Sequence, residues 1–369
     1  MSHSGDIRIA VDARPLCHAA TGISRYTTEL LTRMSDMGGE WYLYSPQPYD
    51  RTGLHRENIV HRSGNVPGYL GGSQVSQLLF PRWTREDAID VFWGPRHHLP
   101  LGLPADIRAV LTVHDLVWKQ QAASMRASRR WSERLLMPRS VRRADWLVTG
   151  SNAIASELEA SFPGAHSRLS VIPYASGFDD ISGVSEKPLD ESRYFLFVGT
   201  MEPRKNLPRL MRAYKSYTVR VASARALKIV GGDGWGGIDP DKLVHDMELG
   251  GKVEVLGKIS DESLATLYRD AYALLMPSLY EGFGLPVVEA MAHGVPVIVS
   301  QDSAPSEVAA GAGYQVDPLS QDDICQALCA LTLDEALYLR LHAQALPRAR
   351  DFSWKTSAEQ MYILLRNGR

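Results

Sequence analysis

The chain has 369 residues, which exceeds one ordinary hydrophobic core and fits two domains of roughly 180 residues each. Its formal net charge of −2 disfavours nucleic-acid binding, and its hydrophobic content of 44% is typical of a soluble globular protein. No run approaches the ~18 apolar residues of a membrane span, and the first residues lack a basic and then apolar leader. We therefore expect a cytoplasmic protein with a cleft between two domains.

The three cysteines, Cys17, Cys325 and Cys329, do not have the paired spacing of a metal site. Cys325 and Cys329 are four residues apart in an apolar segment, so a helix would place them on one face. We expect them to be small buried hydrophobic residues rather than ligands or a disulfide, which is consistent with a reducing compartment.

The first half of the chain alternates short apolar runs with helical periodicity, as α/β proteins do. Strands are predicted at 7–11, 41–44, 91–93, 109–113 and 146–149. Apolar positions at helical spacing after Ile23 predict a helix that begins near Gly22, at a strand-to-helix junction. Residues 45–88 contain several prolines and glycines, and we predict no element there.

Histidines follow two of these strands. The strand at 109–113 delivers His114 and Asp115 at its carboxyl end, where doubly wound sheets bind ligands. His114 is therefore a candidate ligand contact, and a buried histidine paired with Asp115 is the alternative. His97 and His98 are adjacent and would point to opposite sides of an extended chain, so at least one of them should be structural.

Residues 126–143 hold seven arginines and one glutamate. On a helical wheel four basic positions share one side, with Trp131 and Leu135 beside them: Arg126, Arg129, Arg130 and Arg134. A basic helix with an aromatic edge suits contact with an anionic membrane surface or an acceptor. A solvated face is the alternative, and the sequence alone favours neither.

The second half begins after a polar, turn-rich stretch at 177–190, which we interpret as an interdomain linker. A strand at 194–198 leads into Gly199 and then into two adjacent cations, Arg204 and Lys205. Cations at a strand-to-helix turn can bind an anion, although a solvated cationic loop is the alternative. Two further strands, at 227–230 and 253–256, lead into Gly231 and Lys258.

The stretch 273–299 is predicted to form a strand, a loop, a helix from about 286 to 293, and a second strand. Gly282 and Gly284 flank Phe283 in the loop, where the backbone can approach a ligand closely. We expect free N–H groups at the helix start to bind a diphosphate. Those groups belong to Gly284, Leu285, Val287 and Val288.

Two glutamates bracket this helix start, Glu281 before it and Glu289 within it, with seven residues between them. A carboxylate beside a phosphate should accept hydrogen bonds from hydroxyl groups, which a sugar and a ribose provide. Two solvated surface glutamates are the alternative.

This stretch, with two glutamates around a Gly-Phe-Gly-Leu-Pro turn, resembles the corresponding sequence of the retaining glycosyltransferases of family 4. The resemblance implies an α/β protein of the GT-B fold, with two facing Rossmann-like domains and a cleft between them. An acceptor domain would span 1–180, with a C-terminal helix at 353–369 crossing back to it, and a nucleotide-sugar donor domain would span 190–350. Family members usually have proline directly before the residue that matches Glu307, whereas this chain has Ser306.

The resemblance also implies roles for individual residues. Glu281 would hold hydroxyls of the donor sugar, Glu289 the ribose, and His114 the sugar or the reacting face. Arg204 and Lys205 match the diphosphate-binding pair, so the four catalytic candidates are His114, Arg204, Lys205 and Glu281. The donor-binding candidates are Gly22, Gly199, Gly231, Lys258, Glu281, Gly282, Phe283, Gly284, Leu285 and Glu289.

The implied reaction is transfer of a hexose from a nucleotide diphosphate to a saccharide or lipid-linked saccharide, with retention. The segment WGPRHHLPLGLP and the HDL turn look most like bacterial mannosyl- and rhamnosyltransferases of O-antigen assembly, which favours GDP-mannose or a GDP-6-deoxyhexose. No Asp-x-Asp signature occurs in a suitable loop, so we expect no essential metal and no cofactor. The alternatives are a UDP-sugar donor, a nucleotide-sugar 2-epimerase and a non-catalytic sugar-binding subunit.

Overall fold

The computed structural model of the chain describes residues 7–17, 21–64, 72–121, 125, 127–178 and 193–368, without the side chains of 72–75 and 127–129. Most of the predicted linker at 177–190 lies outside the described residues. The chain forms two compact units. The first comprises Met1–Leu116, Ser128–Tyr174 and Ser353–Arg369, and the second comprises Val117–Ala127 and Ala175–Phe352.

The first unit is built on a parallel sheet of seven strands. Its strands are β1 Arg8–Asp12, β2 Glu40–Ser45, β3 Ile59–Ser63, β4 Val91–Gly94, β5 Arg108–Thr112, β6 Trp146–Thr149 and β7 Leu169–Val171, in the spatial order β3-β2-β1-β4-β5-β6-β7. Its helices are α1 Gly22–Met34, α2 Gly72–Glu86, α4 Ala127–Arg143, α5 Asn152–Ser161 and α13 Trp354–Asn367. The central strands β1, β4 and β5 are almost entirely buried, because helices cover both faces of a parallel sheet.

Two elements of this unit, β3 and α2, fall within the region 45–88, where no element was predicted. Strand β3 (IVHRS) pairs along its length with β2 at the edge of the sheet and is only partly buried, so it lacks the apolar run of a central strand. Helix α2 contains Pro81 in its interior, a position at which proline is disfavoured, so residue type does not indicate this helix. The prediction for this region was therefore wrong.

The C-terminal helix α13 packs within the first unit. The hydroxyl of Ser357 donates to the carbonyl oxygen of Pro173 at 2.6 Å. The ring of Trp354 stacks on Tyr174 with 6.2 Å between centroids and an interplanar angle of 12°. These contacts explain why the last residues of the chain belong to the unit that contains its first residues.

The second unit contains a parallel sheet of six strands. Its strands are β8 Tyr194–Val198, β9 Leu227–Val230, β10 Val253–Gly257, β11 Ala271–Met276, β12 Val297–Ser300 and β13 Gly313–Val316. Its helices are α3 Val117–Gln120, α6 Leu207–Arg220, α7 Pro240–Asp246, α8 Asp261–Asp270, α9 Leu285–Ala292, α10 Ala304–Ala309, α11 Gln321–Leu333 and α12 Glu335–Ala349.

The strand order in this sheet is β10-β9-β8-β11-β12-β13. From β8 the chain moves outward to β10, returns to β11 on the other side of β8, and then moves outward to β13. The order therefore reverses between β8 and β11, which is where doubly wound sheets bind ligands. The prediction of two Rossmann-like α/β sheets is confirmed, and the second unit places its switch point beside the loops that carry Arg204, Lys205 and Glu281.

Candidate donor site

The candidate site lies where the loops after β8 and β11 meet. The backbone N–H of Leu279 donates to the carbonyl oxygen of Arg204 at 2.7 Å, which ties the two loops together. The side-chain amide of Asn206 donates to the carbonyl oxygens of Pro277 at 2.9 Å and Pro318 at 2.7 Å. Asn206 has a left-handed backbone at the start of α6, so the turn that presents the two cations is held from both ends.

Four charged side chains form a cluster in these loops. Nη1 of Arg204 donates to Oε2 of Glu281 at 2.6 Å, and Nζ of Lys205 lies 2.6 Å from Oε1 of the same carboxylate. Nε of Arg204 donates to Oε2 of Glu202 at 2.7 Å. The structure therefore brings together three of the four predicted catalytic residues, Arg204, Lys205 and Glu281, and adds Glu202.

Burial strengthens the electrostatics of this cluster. Burial alone would raise the pKa of Glu281, but Arg204 and Lys205 outweigh it and hold the pKa at about 2, so the carboxylate stays ionised at neutral pH. Burial lowers the pKa of Lys205, although the adjacent Glu281 opposes the change. Burial also raises the pKa of Glu202, against the influence of Arg204. The protein surroundings therefore lower the pKa of Glu281 and raise that of Glu202.

The predicted donor-binding glycines Gly199 and Gly231 contact each other. A Cβ atom placed on Gly231 would lie 1.9 Å from the carbonyl oxygen of Gly199, so no other residue fits there without moving the backbone. The next turn of the loop continues this contact, since the N–H of Met201 donates to the carbonyl oxygen of Gly232 at 3.1 Å. The geometry accounts for Gly231 by close packing of two loops, and its predicted contact with a donor stays a prediction.

The turn before helix α9 matches the predicted strand, loop and helix. Gly284 precedes the helix with a φ of +105°, a conformation that side chains rarely adopt. Phe283 is buried, and its ring packs edge-to-face on Phe352 with 5.8 Å between centroids. This contact holds the turn in place. The expectation of a free N–H at Val287 is wrong, because this group donates to the carbonyl oxygen of Gly284 at 2.9 Å in a tight first turn. Gly282 and Leu285, the remaining candidates in this turn, are partly exposed.

Glu289 lies inside α9 and is buried. The hydroxyl of Tyr268, on α8, donates to Oε2 of Glu289 at 2.9 Å. The ring of His293 stacks on Tyr268, and its Nδ1 donates to the backbone carbonyl of Glu289 at 2.8 Å. Phe178 contacts both rings edge-on. An aromatic cluster therefore fixes the residue that the family resemblance assigns to the ribose.

Two other donor-binding candidates lie at helix and strand ends. Gly22 is the first residue of α1, where Thr21 and Ser24 form a reciprocal capping box. Lys258 is exposed directly after β10. Their predicted contacts with the donor are not tested by these positions.

His114 is buried after β5 in the first unit, and both of its ring nitrogens have protein partners. Nδ1 lies 2.7 Å from the hydroxyl of Tyr174, and Nε2 lies 2.8 Å from the carbonyl oxygen of Pro95. The carbonyl can only accept, so Nε2 carries the hydrogen and Nδ1 accepts from Tyr174. Burial lowers the pKa of His114 to about 4, and the ring is neutral at pH 7. Its predicted contact with the donor sugar stays a prediction, and a ring nitrogen could reach a ligand only by exchanging one of these bonds.

The two adjacent histidines contact Glu133 on helix α4. Nε2 of His98 lies 2.9 Å from Oε2 of Glu133, and Nδ1 of His97 lies 3.6 Å from the same oxygen. Burial would raise the pKa of Glu133, but the two histidines lower it well below its ordinary value. Both histidines therefore have a structural role, because their contacts with Glu133 join α4 to the loop after β4.

Helix α4 therefore turns Glu133 inward and other side chains outward. Trp131 is 65% exposed and Leu135 is 56% exposed. The guanidinium of Arg134 lies 5.9 Å from the ring centroid of Trp131, while Arg130 is partly buried. Arg126 and the side chain of Arg129 lie outside the described residues. Within the part of the chain that the structure describes, no helix is long and apolar enough to cross a membrane.

The sequence analysis did not identify Glu202 or Tyr268. Glu202 lies two residues before Arg204 in the motif GTMEPRKN, and a carboxylate so close to the cation pair was a signal that could have been used. Tyr268 is 21 residues from Glu289, and nothing in the sequence marks their pairing. Among the described residues, no group of three histidine, cysteine or acidic side chains is arranged to hold a metal ion.

Two protein-family models match consecutive parts of the chain. Residues 180–347 match the family described as Glycosyl transferases group 1, and residues 20–175 match the one described as Glycosyltransferase Family 4. The O-antigen chain mannosyltransferase B of Escherichia coli is 29% identical over 96% of this chain and 98% of that protein. The serotype-specific mannosyltransferase WbdA of Escherichia coli is 27% identical over 98% of this chain and 46% of that protein. The chain thus spans about half the length of WbdA.

A solved structure shares the fold. Sucrose-phosphate synthase from Thermosynechococcus elongatus matches 98% of each chain with a TM-score of 0.76 and 22% identity. At this identity the likeness establishes the architecture alone. The family matches, the mannosyltransferase relatives and the shared architecture confirm the predicted class, and the chain is therefore a glycosyltransferase of the GT-B fold that resembles the O-antigen mannosyltransferases.

Proposed function

We propose that the chain transfers mannose from GDP-mannose to a hydroxyl group of a saccharide or lipid-linked saccharide, with retention of the anomeric configuration, during surface polysaccharide synthesis. The likeness to O-antigen chain mannosyltransferase B over 96% of this chain supports the choice of sugar over rhamnose or another 6-deoxyhexose. The observation that carries the proposal is the buried cluster of Arg204, Lys205 and Glu281 at the switch point of the second sheet.

Glycosyl transfer from a nucleotide diphosphate calls for positive charge beside the departing diphosphate. Breaking the bond between the sugar and the diphosphate leaves additional negative charge on the phosphate oxygens, which buried cations stabilise far better than water does. Arg204 and Lys205 supply the two positive charges in the proposed site. Their charge is held in position by Glu281, which stays ionised because its pKa is about 2.

The two family glutamates then divide the donor between them. Glu281 accepts hydrogen bonds from hydroxyls of the mannose, and Glu289 accepts them from the ribose, since both carboxylates are acceptors. In the proposed mechanism the acceptor hydroxyl attacks the same face from which the diphosphate departs. The departing phosphate takes the acceptor's proton, so no carboxylate nucleophile is required.

A donor screen tests the proposal. Purified protein is incubated with GDP-mannose, a GDP-6-deoxyhexose or UDP-glucose, each with bacterial membranes or defined mannosides as acceptor. We expect GDP release and mannosylated product from GDP-mannose, with an α-anomeric proton signal that shows retention. Conversion of the nucleotide sugar to its C2 epimer without acceptor would indicate a 2-epimerase, and tight donor binding without turnover would indicate a sugar-binding subunit.

We further propose that the enzyme acts at the cytoplasmic face of the membrane, where helix α4 contacts anionic lipid. The observation that supports this proposal is the surface of the helix, which exposes Trp131 and Leu135 beside Arg134. An aromatic ring and an aliphatic side chain flanked by cations match the interface of an anionic bilayer. This arrangement would suit a protein whose acceptor is attached to lipid.

A further inference from the structure

Glu202 is a buried carboxylate in the candidate donor site that the mechanism above does not use. Its side chain is 9% exposed, and Oε2 accepts a hydrogen bond from Nε of Arg204 at 2.7 Å. The loop after β9 closes over it: a Cβ atom on Gly234 would lie 2.3 Å from the carbonyl oxygen of Met201 and 3.0 Å from Cγ of Glu202. Only a glycine allows this close cover, so Glu202 is kept from bulk water.

The charges in the cluster balance without a ligand. Arg204 and Lys205 contribute two positive charges, and Glu202 and Glu281 contribute two negative ones. A sugar nucleotide carries two more negative charges on its diphosphate. If all four side chains stayed ionised, a buried site would then hold an excess of two negative charges, which a low-dielectric environment strongly disfavours. Uptake of one proton by a carboxylate reduces that excess.

The two carboxylates are not equivalent as proton acceptors. Glu281 contacts both cations, which hold its pKa at about 2. Glu202 contacts Arg204 alone among the ion pairs of the described residues, and burial raises its pKa. Glu281 lies on the loop after β11, where its negative charge also favours protonation of Glu202. Asp233, on the loop after β9, is exposed and adds a charge of the same sign.

We propose that Glu202 positions the guanidinium of Arg204 and takes up a proton from solvent when the donor diphosphate binds. The guanidinium of Arg204 then pairs with the diphosphate instead of with an ionised Glu202. This inference rests on the proposed function, because it requires a nucleotide sugar at the cluster. It makes Glu202 a positioning residue, and it couples donor affinity to pH. Proton uptake means that affinity falls as pH rises, by up to about tenfold per pH unit.

Calorimetric titration with GDP-mannose, without acceptor, tests the inference. The enthalpy is measured at pH 8 in two buffers of different ionisation enthalpy, whose difference gives the number of protons taken up. GDP-mannose is preferred to GDP because the terminal phosphate of a nucleoside diphosphate itself titrates near neutral pH, as other phosphate monoesters do. The unmodified protein should take up a fraction of a proton that differs from zero, up to the limit of one for a single carboxylate.

Three variants separate positioning from structure. Glu202→Gln keeps the shape of the side chain and should abolish proton uptake and flatten the pH dependence of the donor KM. Glu202→Asp keeps the acid and should restore part of the uptake. Glu254→Gln neutralises an exposed carboxylate that pairs with Lys228 on neighbouring strands, and uptake should be unchanged.

The outcomes distinguish the inference from the function on which it rests. GDP-mannose binding without proton uptake, or equal uptake by the unmodified protein and Glu202→Gln, would overturn the role of Glu202 while leaving the donor assignment in place. Absence of GDP-mannose binding would overturn the proposed donor instead. The same titration with UDP-glucose then decides the role of Glu202: buffer-dependent uptake that Glu202→Gln abolishes supports it, and any other result rejects it.

Discussion

Tyr268 donates a hydrogen bond of 2.9 Å to Oε2 of Glu289, joining helix α8 to helix α9 within the second unit. Both side chains are buried, and the ring of His293 stacks on Tyr268 at 5.7 Å. A carboxylate held in this way has its orientation set by protein contacts before any ligand arrives, which suits the proposed ribose contact. Preorganisation of this kind reduces the entropy that binding must otherwise offset.

Tyr268→Phe should weaken binding of GDP by about 5- to 30-fold, because the lost orientation of Glu289 should cost roughly 1–2 kcal/mol, a part of the roughly 1.5–3 kcal/mol that a hydrogen bond to a charged group contributes. Calorimetry with GDP measures the change. The matched control is Tyr194→Phe, which removes a hydroxyl that donates to the carbonyl oxygen of Leu267 at 2.9 Å. Both variants should lose similar thermal stability, and only the first should lose affinity. Equal GDP affinity in the two variants would show that Tyr268 does not orient Glu289 for a ligand.

The two family glutamates should respond differently to truncation. Glu289→Ala should weaken binding of free GDP, because it removes the proposed ribose contact. Glu281→Ala should not weaken GDP binding, since its proposed partner is the hexose and since the variant removes a negative charge from beside Arg204 and Lys205. Calorimetry with GDP compares the two variants with the unmodified protein. Equal losses would contradict the division of the donor between these residues.

The sequence predicted the helix start before Glu289 because glycines and a proline mark it locally. It could not predict Tyr268 as the partner of Glu289, since the contact depends on how α8 packs beside α9. The prediction of a free N–H at Val287 was wrong for a related reason, because residue types do not determine how tightly the first turn of a helix is wound. Strand β3 escaped prediction because an edge strand needs few apolar residues.

Lys205→Ala should lower turnover by about 10²-fold or more, because a buried cation beside a departing diphosphate acts in a low-dielectric site. Lys215→Ala is the matched control, since Lys215 is an exposed lysine on α6 whose nearest acidic partner, Glu248, is 3.9 Å away. If Arg204 and Lys205 replace a metal ion, activity of the unmodified protein should persist in excess chelator. Loss of activity in chelator that Mg²⁺ or Mn²⁺ restores would contradict this prediction.

His114 should make the first unit less stable in mild acid. Burial lowers its pKa from 6.5 to about 4 in the folded protein, so the folded state stays neutral where the unfolded state binds a proton. The stabilising contribution is therefore complete above about pH 6.5 and is lost as the pH falls towards 4. Urea unfolding at pH 7 and pH 5 measures it. His114→Gln can keep bonds to Tyr174 and Pro95 without titrating, and a difference between the two pH values as large as in the unmodified protein would exclude His114 as the cause.

The last prediction concerns helix α4 and the arginine that precedes it in sequence, since the segment 126–143 carries a net charge of +6 in a chain that is otherwise slightly acidic. If α4 contacts anionic lipid, each arginine near the surface contributes about 1 kcal/mol, and added salt weakens binding. Replacing Arg126, Arg129 and Arg130 with glutamine should release the protein from vesicles of phosphatidylglycerol while leaving GDP affinity unchanged. The control removes three exposed cations from helix α6 of the second unit, at Arg212, Lys215 and Arg220, and should stay bound. Co-sedimentation at low salt decides the matter, because an unmodified protein that stays in solution there has a solvated α4 face and no contact with the membrane.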